Sequence, residues 1–128
     1  MSHPVSHPAE KISESEYEVM KVLWESGQPM PVTDIRRILH QRKGWEATTV
    51  KTLIARLTEK GAVIQEKRNV YYYAPSITEK EYGDWATGNL ISRLYRGSAK
   101  NLVAALVHSD ELTREDIDEL RAMFRVEE

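Results

Sequence analysis

The chain contains no cysteine. That excludes disulfides and thiolate metal sites, and it fits a cytoplasmic protein. No apolar run approaches the roughly 20 residues needed to cross a bilayer. The opening stretch MSHPVSHPAEK lacks the apolar core of a secretion signal. Neither a nucleophile elbow nor a glycine-rich phosphate loop is present. Charge of one sign is scarce too, with a formal net charge of −2 over 128 residues. What remains is one ordinary domain, or a small domain with an oligomerisation segment attached. Apolar residues make up 41% of the chain. They suffice for a modest core, and a chain this short gains from a partner subunit.

The small net charge conceals an uneven distribution. From Val32 to Pro75 there are nine basic residues (Arg36, Arg37, Arg42, Lys43, Lys51, Arg56, Lys60, Lys67 and Arg68) against four acids (Asp34, Glu46, Glu59 and Glu66), a net of +5. From Ser76 to Glu128 seven basic residues face eleven acids, a net of −4. A basic half beside an acidic half suggests that the first meets a polyanion and the second serves another purpose.

Residues 1–11 repeat Ser-His-Pro, and prolines at that spacing predict a flexible tail rather than a helix. His3 and His7 are metal-capable residue types there, but no metal or other cofactor is expected. Ser13 and Glu16 form a capping box that opens a helix carrying Tyr17, Met20, Leu23 and Trp24 on one face and ending at Gly27. A second helix, roughly Thr33 to His40, buries Ile35, Ile38 and Leu39. A third, roughly Ala47 to Lys60, places Val50, Leu53, Ile54 and Leu57 at i, i+3, i+4 and i+7. Two strand-like runs follow, Ala62–Glu66 and Val70–Tyr73. They are joined by Lys67-Arg68-Asn69, where Asn69 tolerates a left-handed turn. Three helices come last. Thr78 and Glu81 cap one that runs to about Tyr95, the next spans Ala99 to Val107, and Thr113 and Asp116 cap one that ends at Phe124. These segments carry Leu90, Ile91, Leu94, Tyr95, Leu102, Val103, Leu106, Val107, Ile117, Leu120 and Phe124. Three short helices cannot bury that much apolar surface alone, so a second copy is expected to cover it in a two-fold dimer.

Three helices and a hairpin in this order are the winged helix-turn-helix arrangement. The fold class expected is mainly α with a small β-hairpin wing, plus a C-terminal helical dimerisation region. The expected divisions are a tail over 1–11, a DNA-binding domain over 12–76 and a dimerisation domain over 77–128. In such folds the recognition helix enters the major groove. Thr48, Thr49 and Thr52 would offer hydroxyls to bases or phosphates, and Ala55 would meet a thymine methyl. Lys51 and Arg56 would take phosphate or a guanine edge. Lys67 and Arg68 would reach the flanking phosphates or the minor groove from the wing, with Arg36, Arg37, Arg42 and Lys43 as further phosphate candidates. Affinity for double-stranded DNA would then fall with salt. The alternative is a winged helix that binds protein and leaves its basic face incidental. An enzyme is not expected. His108-Ser109-Asp110 holds triad residue types, but adjacency in sequence is not triad geometry.

The stretch Ile12-Ser13-Glu14-Ser15-Glu16-Tyr17-Glu18-Val19-Met20-Lys21-Val22-Leu23-Trp24 resembles the opening of the penicillinase and methicillin-resistance repressors and their copper-responsive relatives. Trp45-Glu46-Ala47-Thr48-Thr49-Val50-Lys51-Thr52-Leu53-Ile54-Ala55-Arg56-Leu57-Thr58-Glu59-Lys60-Gly61 resembles their recognition helix, and Val70 to Pro75 their wing. Leu94-Tyr95-Arg96-Gly97, Leu112-Thr113 and Ile117-Asp118-Glu119-Leu120 resemble their dimerisation helices. The resemblance implies a homodimer on a palindromic operator, with the N-terminal half on DNA and the C-terminal helices between subunits. Two family features have no match. The copper-responsive members use paired cysteines near the C-terminus, and this chain has none. The β-lactam-responsive members are inactivated by a protease at an Asn-Phe bond, where this chain has Ala105-Leu106. A protease of another preference is the form that partner would take here.

Overall fold

Ser13 opens the first helix as its spacing predicts. In a computed structural model that describes residues 8–125, its hydroxyl accepts from the Glu16 amide at 3.2 Å and its own amide donates to Glu16 Oε1 at 2.8 Å. Helix α1 spans Glu14–Ser26 and stops at Gly27, whose φ of 71° is the left-handed conformation a side chain would oppose. Its inner face carries Glu16, Val19, Met20, Val22 and Leu23, all buried. Helix α2 spans Val32–Lys43 and ends at Gly44, with φ of 69°. It runs a turn beyond the predicted His40, because the Gly44 amide closes the last turn onto the His40 carbonyl at 2.9 Å. Helix α3 spans Ala47–Glu59 and buries Val50, Leu53, Ile54 and Leu57, the stripe that the periodicity predicted.

The hairpin is shifted from its predicted bounds. Strand β2 is Val63–Lys67 and strand β3 is Tyr71–Pro75, antiparallel, with Val63 opposite Pro75 and Lys67 opposite Tyr71. Ala62 drops out of the strand because its amide donates to the Leu57 carbonyl at 2.9 Å, finishing α3. The tip is therefore Arg68–Val70, and the Arg68 amide donates across it to Val70 O at 2.9 Å. The predicted left-handed Asn69 is not found. Among the described residues only Arg96 and Asp110 are non-glycines with positive φ, at 49° and 61°. A third strand, β1 at Met30–Pro31, was not anticipated, since two residues carry no periodicity. It pairs with β3, Met30 opposite Tyr73, giving the order β1-β3-β2. Pro31 lies in an edge strand, where its missing N–H costs no ladder bond.

The chain divides into two units, Met1–Ala86 and Thr87–Glu128. The boundary falls within helix α4, Glu79–Leu94, and not at the predicted residue 76. The physical reason is packing. Ile77 is buried in the core of the first unit, and Tyr82 and Trp85 pack against it. Tyr82 stacks on Tyr17 at 5.1 Å between ring centroids and tilts against Trp24 at 5.7 Å. The Trp24 indole N–H donates to the Ile77 carbonyl at 2.9 Å. At the other end of the first unit, Pro8–Lys11 form a single 3-10 turn and Ala9 is buried, so residues 8–11 do not have the flexible form expected for 1–11. Residues 1–7, with His3 and His7, lie outside the described residues.

The second unit holds the end of α4, helix α5 (Ala99–His108) and helix α6 (Arg114–Met123). Ser98 caps α5 by accepting from the Asn101 amide at 3.2 Å. Thr113 and Asp116 cap α6 reciprocally, each bond 3.0 Å. No described residue of α4, α5 or α6 is buried. The first unit is a winged helix-turn-helix, and its core lies among α1, α2, α3 and the root of the wing.

Candidate nucleic-acid interface

The buried stripe of α3 decides which of its residues face water. With Val50, Leu53, Ile54 and Leu57 turned inward, Thr48, Thr49, Lys51, Thr52, Ala55 and Arg56 are all exposed. Thr48, Thr49, Thr52 and Arg56 line one shallow cavity of about 260 Å³ with Leu53. The Thr52 hydroxyl donates back to the Thr48 carbonyl at 2.9 Å. In that rotamer its oxygen only accepts, so it suits a base amino group and not a phosphate. Lys51 and Ala55 also line a cavity of about 480 Å³ between α3 and the sheet, closed by Gln65 and Tyr73 among others. Gln65 and Tyr73 were missed as candidates. The strand register puts them opposite each other on the face turned to α3, and the Gln65 amide donates to the Tyr73 hydroxyl at 3.4 Å.

At the wing, Lys67 and Arg68 are exposed. The Arg68 guanidinium folds back over the Tyr72 ring at 4.5 Å and pairs with Glu66 at 3.2 Å. Exposed pairs of this kind contribute roughly 0–1 kcal/mol, so a phosphate can displace the carboxylate. On α2, Arg36 and Arg37 border a cavity of about 350 Å³ at the turn into α3, with Thr33, His40, Trp45, Glu46 and Ala47. Arg37 also stands 3.6 Å from Asp34.

The remaining basic residues of this half, Arg42, Lys43 and Lys60, pair with acids of α1. Arg42 forms two bonds to Glu25 of α1, at 3.1 and 2.6 Å. Hydrogen bonding to Arg42 holds the Glu25 carboxyl below its ordinary pKa and raises that of Arg42. Lys43 lies 3.4 Å from Glu18, which also pairs with Lys21 at 2.8 Å. Lys60 is bound through both oxygens of Glu16, at 2.5 and 2.8 Å. Three of the nine basic residues counted from the sequence thus serve ties to α1. The sequence signal was available in the four acids of that helix, Glu14, Glu16, Glu18 and Glu25, but nothing local pairs them with bases so far along the chain.

In the second unit the residues expected at a subunit contact are placed as follows. Leu90, Leu94, Val103, Leu106, Val107, Ile117 and Phe124 are exposed, Leu94 at 65% and Phe124 at 69%. Ile91, Tyr95, Leu102 and Leu120 are half-buried. Met123, not among the predicted residues, is exposed at 74%. Ala105 and Leu106 lie inside α5. Ser109 donates its hydroxyl to the Leu106 carbonyl at 2.8 Å, so it acts as a helix end and is not aligned with His108. Among the described residues no three His, Cys, Asp or Glu side chains converge on a metal position. No helix among them is long and apolar enough to cross a membrane.

Comparison with known proteins adds to this geometry. The family model described as penicillinase repressor matches residues 12–125. The penicillinase repressor of Bacillus licheniformis is 32% identical over 111 residues, covering 86% of this chain and 86% of that protein. The methicillin resistance regulatory protein MecI of Staphylococcus aureus (strain N315) is 30% identical over 112 residues, covering 87% of this chain and 90% of that protein. Among solved structures, the DNA-binding domain of the repressor BlaI aligns at a TM-score of 0.52 and 34% identity, over 56% of this chain and 88% of that one. The monomeric form of Bacillus licheniformis BlaI in complex with the blaP half-operator aligns at a TM-score of 0.51 and 31% identity, over 62% of this chain and 92% of that one.

Proposed function

This chain belongs to the penicillinase-repressor family of transcriptional repressors, and from that premise we propose that it binds palindromic operator DNA as a homodimer and does no chemistry of its own. The observation that carries the reading is the outer face of α3. A helix clamped into the core along one stripe presents small residues on its open side, Thr48, Thr52 and Ala55, with Lys51 and Arg56 beside them. Small residues let the helix approach base edges closely, and the cations meet the phosphates on either side. Lys67 and Arg68 extend that contact along the flanking backbone, and Arg36 and Arg37 add contacts from α2. The BlaI relative solved on a half-operator supports the same use of the domain.

Dimerisation sets the affinity in this reading. The exposed apolar residues of α4, α5 and α6 lack burial within the chain, and a second copy removes them from water. Two recognition helices then sit about 34–36 Å apart, one turn of DNA. Linking them makes the second half-site contact intramolecular. Whatever parts the C-terminal helices therefore derepresses without touching a DNA contact. A cytoplasmic protease acting near Ala105-Leu106 would do this, after α5 opens locally to admit it.

The test is selection of sites from a random DNA pool with the full chain, followed by footprinting. Recovery of an inverted repeat with half-sites about one turn apart is the expected result. No enriched sequence at low or moderate salt would overturn the reading and leave a protein-binding winged helix in its place.

A further inference from the structure

We infer that the Glu16–Lys60 ion pair is a positioning device for the recognition helix: it ties the C-terminal end of α3 to the first turn of α1 and so sets the direction in which α3 presents Thr48, Thr52 and Arg56. The inference rests on the DNA-binding reading of α3 for its consequence, though not for its geometry.

Among the described residues of the first unit Glu16 is the buried charged side chain, 1% exposed. Both its oxygens accept from the Lys60 ammonium, at 2.5 and 2.8 Å, and Oε1 also accepts from the Ser13 amide at 2.8 Å. The carboxylate is thus held from two sides. The Ser13 bond fixes it to the start of its own helix, and the Lys60 bonds fix it to an element 44 residues away. Lys60 is the C-cap of α3, and its own amide donates to the Arg56 carbonyl at 2.9 Å. A cation there also meets the negative end of the helix dipole.

An ion pair is an expensive way to hold two helices together. Well-packed apolar residues of the same volume stabilise such a site equally or better, because desolvation offsets the Coulomb attraction. What apolar contacts lack is direction. The stripe Val50, Leu53, Ile54 and Leu57 fixes which face of α3 turns inward but says less about the tilt and slide of the helix. A two-oxygen contact of fixed length near Arg56 constrains both. Lys60 lies one residue past the end of α3, and Arg56 is one turn before it, so the tie acts on the end of the helix that carries a predicted DNA contact.

The alternative role for Lys60 is an ordinary phosphate contact, and the two roles differ in sign at Glu16. Removing an acid from a protein that binds a polyanion should strengthen binding if only net charge matters. Removing an acid that aims the recognition helix should weaken operator binding instead. Glu16→Gln is the informative variant, since glutamine keeps the volume and can still accept from the Ser13 amide. Lys60→Met keeps length and loses the charge, and Lys60→Arg keeps the charge.

The experiment uses the full chain and two readouts. Residual dipolar couplings report the direction of α3 relative to α1 without DNA. Operator and random-duplex affinities are then measured across a salt series. We expect Glu16→Gln and Lys60→Met each to change the α3 couplings relative to α1 while both helices persist. Each should lower operator affinity about tenfold, the loss of about one base contact, with random-duplex affinity and the salt slope unchanged. The double variant should lose no more than either single one, and Lys60→Arg should retain operator affinity. Unchanged couplings in Glu16→Gln would overturn the inference. So would a Lys60→Met salt slope shallower by about one per subunit with no operator loss in Glu16→Gln, because Lys60 would then be a phosphate contact. If the couplings change but the parent chain prefers no sequence, the repressor reading fails and the positioning of α3 stands.

Discussion

Arg56→Ala and Arg42→Ala remove the same charge from the same half of the chain, yet the structure assigns them different effects on DNA binding. Counting Arg36, Arg37, Lys51, Arg56, Lys67 and Arg68 leaves six cations per subunit that are not tied to α1. A dimer carries twice that number. At a slope of about −0.9 per neutralised phosphate, log affinity against log salt should be no steeper than about −11. Taking Arg56 from both subunits removes two contacts, so the slope should become shallower by about 2. Arg42 is held by both oxygens of Glu25, at 3.1 and 2.6 Å, where Arg68 has a single bond to Glu66, and its removal should leave the slope unchanged. The assay is fluorescence anisotropy of a labelled operator duplex across a salt series, with the parent chain and both variants side by side. Equal loss of slope in the two variants would refute the reasoning, for it would mean that Glu25 releases Arg42 to the DNA. No loss in either would remove Arg56 from the interface.

Three further outcomes follow from the same geometry. A chain ending after Ala86 keeps Ile77, Tyr82 and Trp85 on the core and should fold, sediment as a monomer and bind a full operator roughly 10²–10⁴-fold more weakly than the whole chain; equal affinity would show that dimerisation does not set binding. Leu57→Ala, at a fully buried position of α3, should cost about 2–5 kcal/mol in denaturant unfolding, and a change under about 1 kcal/mol would mean that the α3 stripe repacks freely. Burial alone would raise the pKa of Glu16, but bonds from Lys60 and Ser13 outweigh it and the folded value lies below the ordinary 4.5. The stability it contributes is present above that pH and is lost as pH falls through the lower folded value. The unfolding midpoint of Glu16→Gln should therefore fall less steeply with acid than that of the parent, and parallel curves would count against the pair.

The helices were legible because their signals are local. Ser13 with Glu16 and Thr113 with Asp116 are capping boxes four residues long, and the α3 stripe repeats every three or four residues, so each pattern lies whole within a short stretch of chain. The outer face of α3 followed directly, since an inward stripe leaves the other side outside. The wing was legible as a hairpin but not in register. Its bounds depend on Ala62 donating to Leu57 and on Ser76 donating to the Ala62 carbonyl, and these bonds belong to the helix end and the loop after the wing. Strand β1 left no trace, because two residues become a strand only when β3 lies beside them. The point at which the two units divide was not legible for a related reason. Thr78 marks where α4 begins, but the stacking of Tyr82 on Tyr17 decides which unit its first turns belong to.

That α3 is basic and amphipathic, and which residues stand on its open side, was legible along the chain, because periodicity and net charge are properties of neighbours. Which of the nine cations are tied to α1 depends on how the helices pack. Arg42, Lys43 and Lys60 meet Glu25, Glu18 and Glu16 across the packing of α1 against the two helices that follow. Each of these three partners comes from an earlier helix, as far as 44 residues back along the chain, so no local pattern in the sequence announces the pairing.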